Sequence, residues 1–175
     1  MNADTARLFL GLELNDEARC TLDGVRRALD ERNISGRFHA PSLYHLTLCF
    51  LGNTPVSALP RLKRLMDGVP AAPFSLTLSS LGTFKNGTIL WAGVKPCPAL
   101  MEYQGRLARA LYDAGFPLEE GEYRPHITLA RQIKSPVPDI AVPGVSFRVG
   151  HGTLFESTRA DGALTYLPLY RSVFR

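Results

Sequence analysis

The chain has only three cysteines, Cys20, Cys49 and Cys97. Their number is odd and they show neither metal-ligand nor redox spacing. They spell no disulfide framework, and reduced thiols in a cytoplasmic protein are expected. No apolar run approaches membrane-spanning length, and Met1-Asn2-Ala3-Asp4 lacks a signal-peptide pattern, so neither a membrane location nor export is expected. A G-x-x-x-x-G-K-[ST] loop is missing, and with it the machinery of nucleoside-triphosphate hydrolysis. Lysine and arginine exceed aspartate and glutamate by 20 to 16 but form no run. That balance permits a small phosphorylated or polyanionic partner without an extended basic track. Linkers and low-complexity stretches are absent too. With 45% hydrophobic and 21% charged residues, the 175 residues suit one globular domain, 1–175, burying roughly 70% of the surface of its unfolded chain.

What is present is a motif used twice. His45-Leu46-Thr47-Leu48-Cys49-Phe50 returns as His126-Ile127-Thr128-Leu129-Ala130-Arg131. Side chains alternate between the faces of a strand, so each copy offers an imidazole and a hydroxyl on one face and apolar residues on the other. Two such strands across a cleft would bracket a reacting atom with two imidazoles above two hydroxyls. These are the parts of a general acid, a general base and an anion cradle.

The flanking elements repeat as well. Leu8, Leu10, Leu12 and Leu14 alternate as a strand, Asn15 reads as a helix cap, and Leu22, Val25 and Leu29 recur at helical spacing until Gly36 stops the run. A second helix is predicted from near Ser57 to Asp67, followed by a strand over Phe74, Leu76 and Leu78, a tight turn at Asn86-Gly87 and a strand Ile89–Val94. From there the opening recurs: a helix from Pro98 to Ala114, a stop at Gly115, then the second motif. Leu8 stands about as far ahead of His45 as Leu90 does ahead of His126, which predicts two lobes related by an approximate two-fold with the motif strands facing each other. Beyond a proline-rich loop, a hairpin is predicted from strands Val145–Ser157 and Ala163–Tyr170 turning at Asp161-Gly162.

Over nearly its whole length the chain resembles the two-histidine (2H) phosphoesterases, specifically the RNA 2',3'-cyclic phosphodiesterases historically called 2'-5' RNA ligases. The resemblance rests on Arg7-Leu8-Phe9, Arg37-Phe38-His39-Ala40-Pro41, both His-x-Thr motifs with Phe50-Leu51-Gly52 and Arg131, Leu81-Gly82-Thr83-Phe84, Leu90–Val94 and Leu154-Phe155-Glu156-Ser157. It implies an α+β fold of two pseudo-symmetric lobes, each an antiparallel sheet with helices on its outer side, and an active-site cleft between them. It also implies hydrolysis of 2',3'-cyclic phosphate ends of RNA, or of small cyclic nucleotides, to 2'-phosphates by a monomer that needs neither metal nor cofactor. His45 would be the acid protonating the 3' oxygen and His126 the base, with Thr47 and Thr128 on the non-bridging oxygens; by motif symmetry alone the two histidine roles are interchangeable. The alternatives are an ATP-independent 2'-5' ligase of tRNA halves and a non-catalytic nucleotide- or RNA-binding module.

Bland readings compete at each position. A single His-x-Thr is weak evidence, and His151-Gly152-Thr153 spells one without the apolar residue or the preceding strand-helix unit; it reads as structural. His39 reads as a packed or solvated residue leading into the first motif. Strand parity puts Arg131 and Phe50 on the face opposite their histidines unless the strand bulges. The resemblance nonetheless implies that Arg131 reaches the phosphate or nucleotide and that Phe50 stacks on a base. Glu119, Glu120 and Glu122 read as a solvated loop, since no metal-ligand spacing accompanies them.

Overall fold

Strand β1 (Thr5–Glu13) sets the frame. Leu8, Leu10 and Leu12 are fully buried on one of its faces, while Arg7, Phe9, Gly11 and Glu13 occupy the other. The computed structural model describes residues 4–175. Helix α1 (Asp16–Glu31) starts where Asn15 Oδ1 accepts from the Ala18 amide at 2.9 Å, and it buries Ala18, Leu22, Val25 and Leu29. It ends before Gly36, because Asn33 turns into the left-handed region at φ 55° and its amide closes on the Asp30 carbonyl. The chain then makes β2 (Arg37–Phe38), a short 3₁₀ turn over Pro41–Leu43, and β3 (His45–Pro55), the first motif strand.

Helix α2 begins at Leu59 and runs to Asp67, two residues later than its apolar pattern suggests, since Pro60 belongs in the first turn. Strand β4 extends over Phe74–Phe84 and meets β5 (Ile89–Val94) through a turn in which Lys85, Asn86 and Gly87 all have positive φ. Gly82 on β4 has no substitute, as a Cβ there would collide with the Trp91 indole lying across it. Helix α3 (Pro98–Asp113) buries Leu100, Tyr103, Leu107 and Leu111, and β6 (His126–Arg131) carries the second motif.

Two antiparallel sheets result, in the orders β3-β1-β8-β9 and β2-β6-β5-β4-β7, where β7 is Ser146–Val149, β8 is His151–Ala160 and β9 is Ala163–Val173. The repeated units are β1-α1-β3 and β5-α3-β6, with the motif strand hydrogen-bonded to the leading strand in each. The buried side chains of α1 and α3, at helical spacing, join both sheets in one apolar core, leaving the polar faces of β3 and β6 toward the join.

The late hairpin needs correction. Val145–Ser157 is not one strand but two: β7 (Ser146–Val149) pairs with β4 in the second sheet, and β8 (His151–Ala160) pairs with β1 and β9 in the first. The chain changes lobe at Gly150 without a turn cluster, and the alternation of apolar residues runs on through the crossing. The hairpin itself is β8 with β9 (Ala163–Val173), turning at Asp161 and Gly162, both at positive φ.

Candidate active site

His45 and His126 are each the first residue of their strand, and each is held by its own chain entry. His45 Nδ1 lies 2.8 Å from the Leu43 carbonyl and His126 Nδ1 lies 2.7 Å from that of Arg124. A carbonyl can only accept, so Nδ1 carries the proton in both rings and Nε2 is the atom left for chemistry. Each ring also leans on aromatic walls. Tyr166 meets His45 edge-on at 4.9 Å and 87°, and Phe84 meets His126 at 4.9 Å and 89°. Phe9 and Trp91 supply the second, tilted contact in each case. The two-fold seen in the sequence therefore extends to how the imidazoles are oriented.

The threonines stand beside them. Thr47 Oγ1 is 2.8 Å from His45 Nε2, so in the neutral ring the hydroxyl donates to that nitrogen. Thr128 lines the same cleft two residues beyond His126.

Strand parity would send Phe50 and Arg131 away from this face, and the backbone overrules it in both copies. Leu10 pairs with Cys49 while Gly11 pairs with Thr47, leaving Leu48 as an extra residue in β3. Likewise Leu90 pairs with Ala130 while Trp91 pairs with Thr128, leaving Leu129 extra in β6. Each is a β-bulge, which makes two consecutive residues face the core and returns the next to the histidine side. Phe50 and Arg131 occupy equivalent positions after their bulges and both line the cleft with His45, Thr47, His126 and Thr128.

That cleft has a volume of about 810 Å³. Arg7, Arg37, Lys85, Arg131 and Arg159 line it against a single carboxylate among the described residues, that of Glu119. The Arg7 guanidinium sits 4.8 Å over the Phe50 ring, giving a cationic, planar wall. Sequence reasoning missed Arg7, Phe9, Arg37 and Tyr166 as cleft residues. Arg7 and Phe9 were legible, since they alternate with Leu8 and Leu10. Arg37 was not, because only its pairing with Arg131 in the second sheet brings it here.

Burial shapes the electrostatics. It pushes His45 down to about 4, against a partial lift from the Leu43 carbonyl, and the nearby His39, His126 and Arg131 lower it further. Burial and Arg131 lower His126 as well, again against a carbonyl. His39 is buried in the cleft wall with no hydrogen-bond partner for Nδ1 among the described residues; burial, then Arg131 and Arg37, push it to about 4. Held well below the usual imidazole range, His39 and His45 favour the neutral form at pH 7, and His126 is moved in the same direction.

His151 is engaged elsewhere. Its Nε2 donates to Glu13 Oε2 at 2.7 Å, beside Thr153 at 2.9 Å and a two-pronged contact from Arg171. Arg171 foremost, with His151 and Thr153, holds the Glu13 carboxyl down at about 2. Glu119, Glu120 and Glu122 are exposed on the loop ahead of β6. Among the described residues, no group of three or more His, Cys, Asp or Glu side chains is gathered as for a metal ion. No helix among the described residues is long and apolar enough to cross a membrane.

Two antiparallel sheets, each presenting a His-x-Thr strand to a shared cleft, define a 2H phosphoesterase fold. The chain belongs to the 2'-5' RNA ligase superfamily, whose family model matches residues 15–161. It is 30% identical over 172 residues to an Escherichia coli RNA 2',3'-cyclic phosphodiesterase, covering 97% of both chains. A Geobacillus stearothermophilus RNA 2',3'-cyclic phosphodiesterase is 42% identical over 100 residues, 54% of this chain and 32% of that one, so the match spans about a third of that relative. The crystal structure of E. coli LigT complexed with 3'-AMP superposes with a TM-score of 0.89 at 28% identity, covering 98% of this chain and 99% of that one.

Proposed function

We propose that the chain hydrolyses 2',3'-cyclic phosphate ends of RNA, and small 2',3'-cyclic nucleotides, to 2'-phosphates by metal-independent two-histidine catalysis. The observation that carries this reading is the matched pair of imidazoles, each with Nδ1 tied to the carbonyl two residues before it, which leaves Nε2 as the unprotonated nitrogen for proton exchange in a basic cleft. Relatives named as RNA 2',3'-cyclic phosphodiesterases and the 3'-AMP held by E. coli LigT support the substrate class.

In the proposed reaction His126 Nε2 takes a proton from water as its oxygen attacks phosphorus. The bond to O3' breaks and His45 Nε2, protonated in the complex, delivers its proton there. Thr47 and Thr128 hold the non-bridging oxygens, where charge accumulates. Thr47 must first release His45 Nε2, and the phosphate oxygen is the acceptor that draws its hydroxyl away. Arg131 faces the phosphate, and Phe50, backed by Arg7, offers a stacking surface for the base.

The test is turnover of an oligonucleotide ending in a 2',3'-cyclic phosphate, followed by phosphorus NMR with excess chelator present. A 2'-phosphomonoester as the product is the expected result. A 3'-phosphomonoester would reverse the geometry, and no turnover with retained binding would favour the binding-module reading.

A further inference from the structure

A second cavity, of about 480 Å³, opens beside the cleft and meets it at Thr47, Phe50, Glu119 and His126. It is contiguous with the reaction centre yet different in kind. His126 borders both spaces, whereas His45, Thr128 and Arg131 border only the cleft. Its walls come from Phe84, Gln104, Ala108, Leu118 and Tyr123, and its rim carries Glu119, Glu120 and Glu122. Of these carboxylates only Glu122 has a cationic partner among the described residues, Arg124 at 3.5 Å. The cleft is cationic and the neighbouring cavity is anionic at its mouth.

In-line displacement at phosphorus places the entering and leaving oxygens on opposite sides. His45, the acid for the leaving O3', does not line the second cavity, and His126, the base for the entering oxygen, does. The geometry points to this cavity as the acceptor pocket. It admits water or an uncharged alcohol such as a nucleoside 5'-hydroxyl to the His126 side of phosphorus, and its carboxylate rim turns away an acceptor carrying a phosphate. The inference rests on the proposed cyclic phosphodiesterase reading.

With an alcohol as acceptor, its oxygen bonds to phosphorus as its proton passes to His126, and the P–O3' bond breaks as O3' takes the proton of His45. The product is a 2'-5' phosphodiester with a free 3'-hydroxyl, and no other reactant is needed. A polynucleotide acceptor would have to bring its first phosphate past Glu119 and Glu120. The pocket thus favours hydrolysis and transfer to single nucleosides over the joining of RNA strands.

The experiment measures the partition of adenosine 2',3'-cyclic phosphate between hydrolysis and transfer, in one reaction, with cytidine or cytidine 3'-phosphate as acceptor. The ratio is internal, so a variant that folds less well changes both arms alike. Cytidine is expected to capture roughly five- to ten-fold more donor than cytidine 3'-phosphate at low salt, a gap that narrows as salt rises. The double variant Glu119→Gln/Glu120→Gln should close much of that gap, and Ala108→Phe, which fills the pocket, should lower transfer to cytidine relative to hydrolysis. Hydrolysis without any transfer to cytidine, equal capture of the two acceptors, or a partition that ignores all these substitutions would overturn the acceptor pocket alone. A wild-type protein that neither hydrolyses nor transfers would instead overturn the proposed function beneath it.

Discussion

The Tyr123 phenol donates a 2.8 Å hydrogen bond to the main-chain carbonyl of Thr47, linking the loop that enters the second motif to the strand of the first. Gln104 on α3 does the same for Leu48, the bulge residue itself, at 3.2 Å. The carbonyls of Thr47 and Leu48 are thus both held by the second lobe. The spacing between the two motif strands is tied at the point where Thr47 and Phe50 are aimed.

Tyr123→Phe removes only the hydroxyl of that tie. Stability is expected to fall by about 1 kcal/mol, as for one lost buried hydrogen bond. Turnover should fall more, by roughly ten-fold or above, since small misplacements of reacting groups are costly in kcat. Steady-state kinetics beside thermal denaturation would decide the matter, and unchanged kcat would make the bond structural only.

The two imidazoles should be separable from the third His-x-Thr copy by mutation. His45→Ala and His126→Ala are each expected to fold and to lose roughly 10²- to 10⁴-fold in kcat. His151→Ala breaks a contact with Glu13 outside the cleft, so its cost should show in melting temperature and not in turnover. Near-normal activity in either of the first two variants would remove that histidine from the mechanism.

Thr47 and Thr128 are not equivalent in the cleft, because only Thr47 bonds its histidine among the described residues. Valine at either position keeps the β-branched shape and deletes the hydroxyl. Both variants should lose kcat with little change in stability. Thr47→Val should also alter the titration of His45, visible by NMR of the ring protons, whereas Thr128→Val should not. Loss of stability without a kinetic effect would return that threonine to an ordinary strand role.

The neutral histidines make binding and pH interdependent. The folded values of His39, His45 and His126 lie below the usual 6.5, so the unfolded chain binds more protons in the acid range. Their contribution to stability is complete above about 6.5 and is lost as pH falls below it, down to about 4 for His39 and His45. An anionic phosphate in the cleft favours the protonated rings and should oppose that loss. Binding of a nucleotide phosphate at pH 7 should therefore take up a proton, about one per site, read by calorimetry in buffers of different ionisation enthalpy. The kcat/KM profile should be bell-shaped, with both limbs belonging to the coupled pair. Binding without proton uptake would mean that the phosphate does not sit between the rings.

The doubled His-x-Thr motif, the strand-helix-strand repeat around it and the Asp161-Gly162 hairpin turn were all legible in the sequence, because alternation, helical spacing and turn chemistry are local. So was the reading of His151 as structural, from the glycine at its centre. The faces of Phe50 and Arg131 were not. Each depends on one extra residue opposite a partner strand, and a bulge at Leu48 or Leu129 leaves no mark in a run of apolar residues. The transfer of β7 to the other sheet at Gly150 leaves no local mark either, since pairing partners are chosen across the whole chain.

Charge shows the division most plainly. In the linear chain the basic residues form no run and point only weakly to a polyanion. Folding brings Arg7 from β1, Arg37 from β2, Lys85 from a turn, Arg131 from β6 and Arg159 from β8 to one cleft, and leaves Glu120 and Glu122 on the rim of the cavity next to it. Residue types and their local periods determined which groups are available for chemistry. Long-range strand pairing decided which of them meet, because electrostatic fields add over distance in space and not along the sequence.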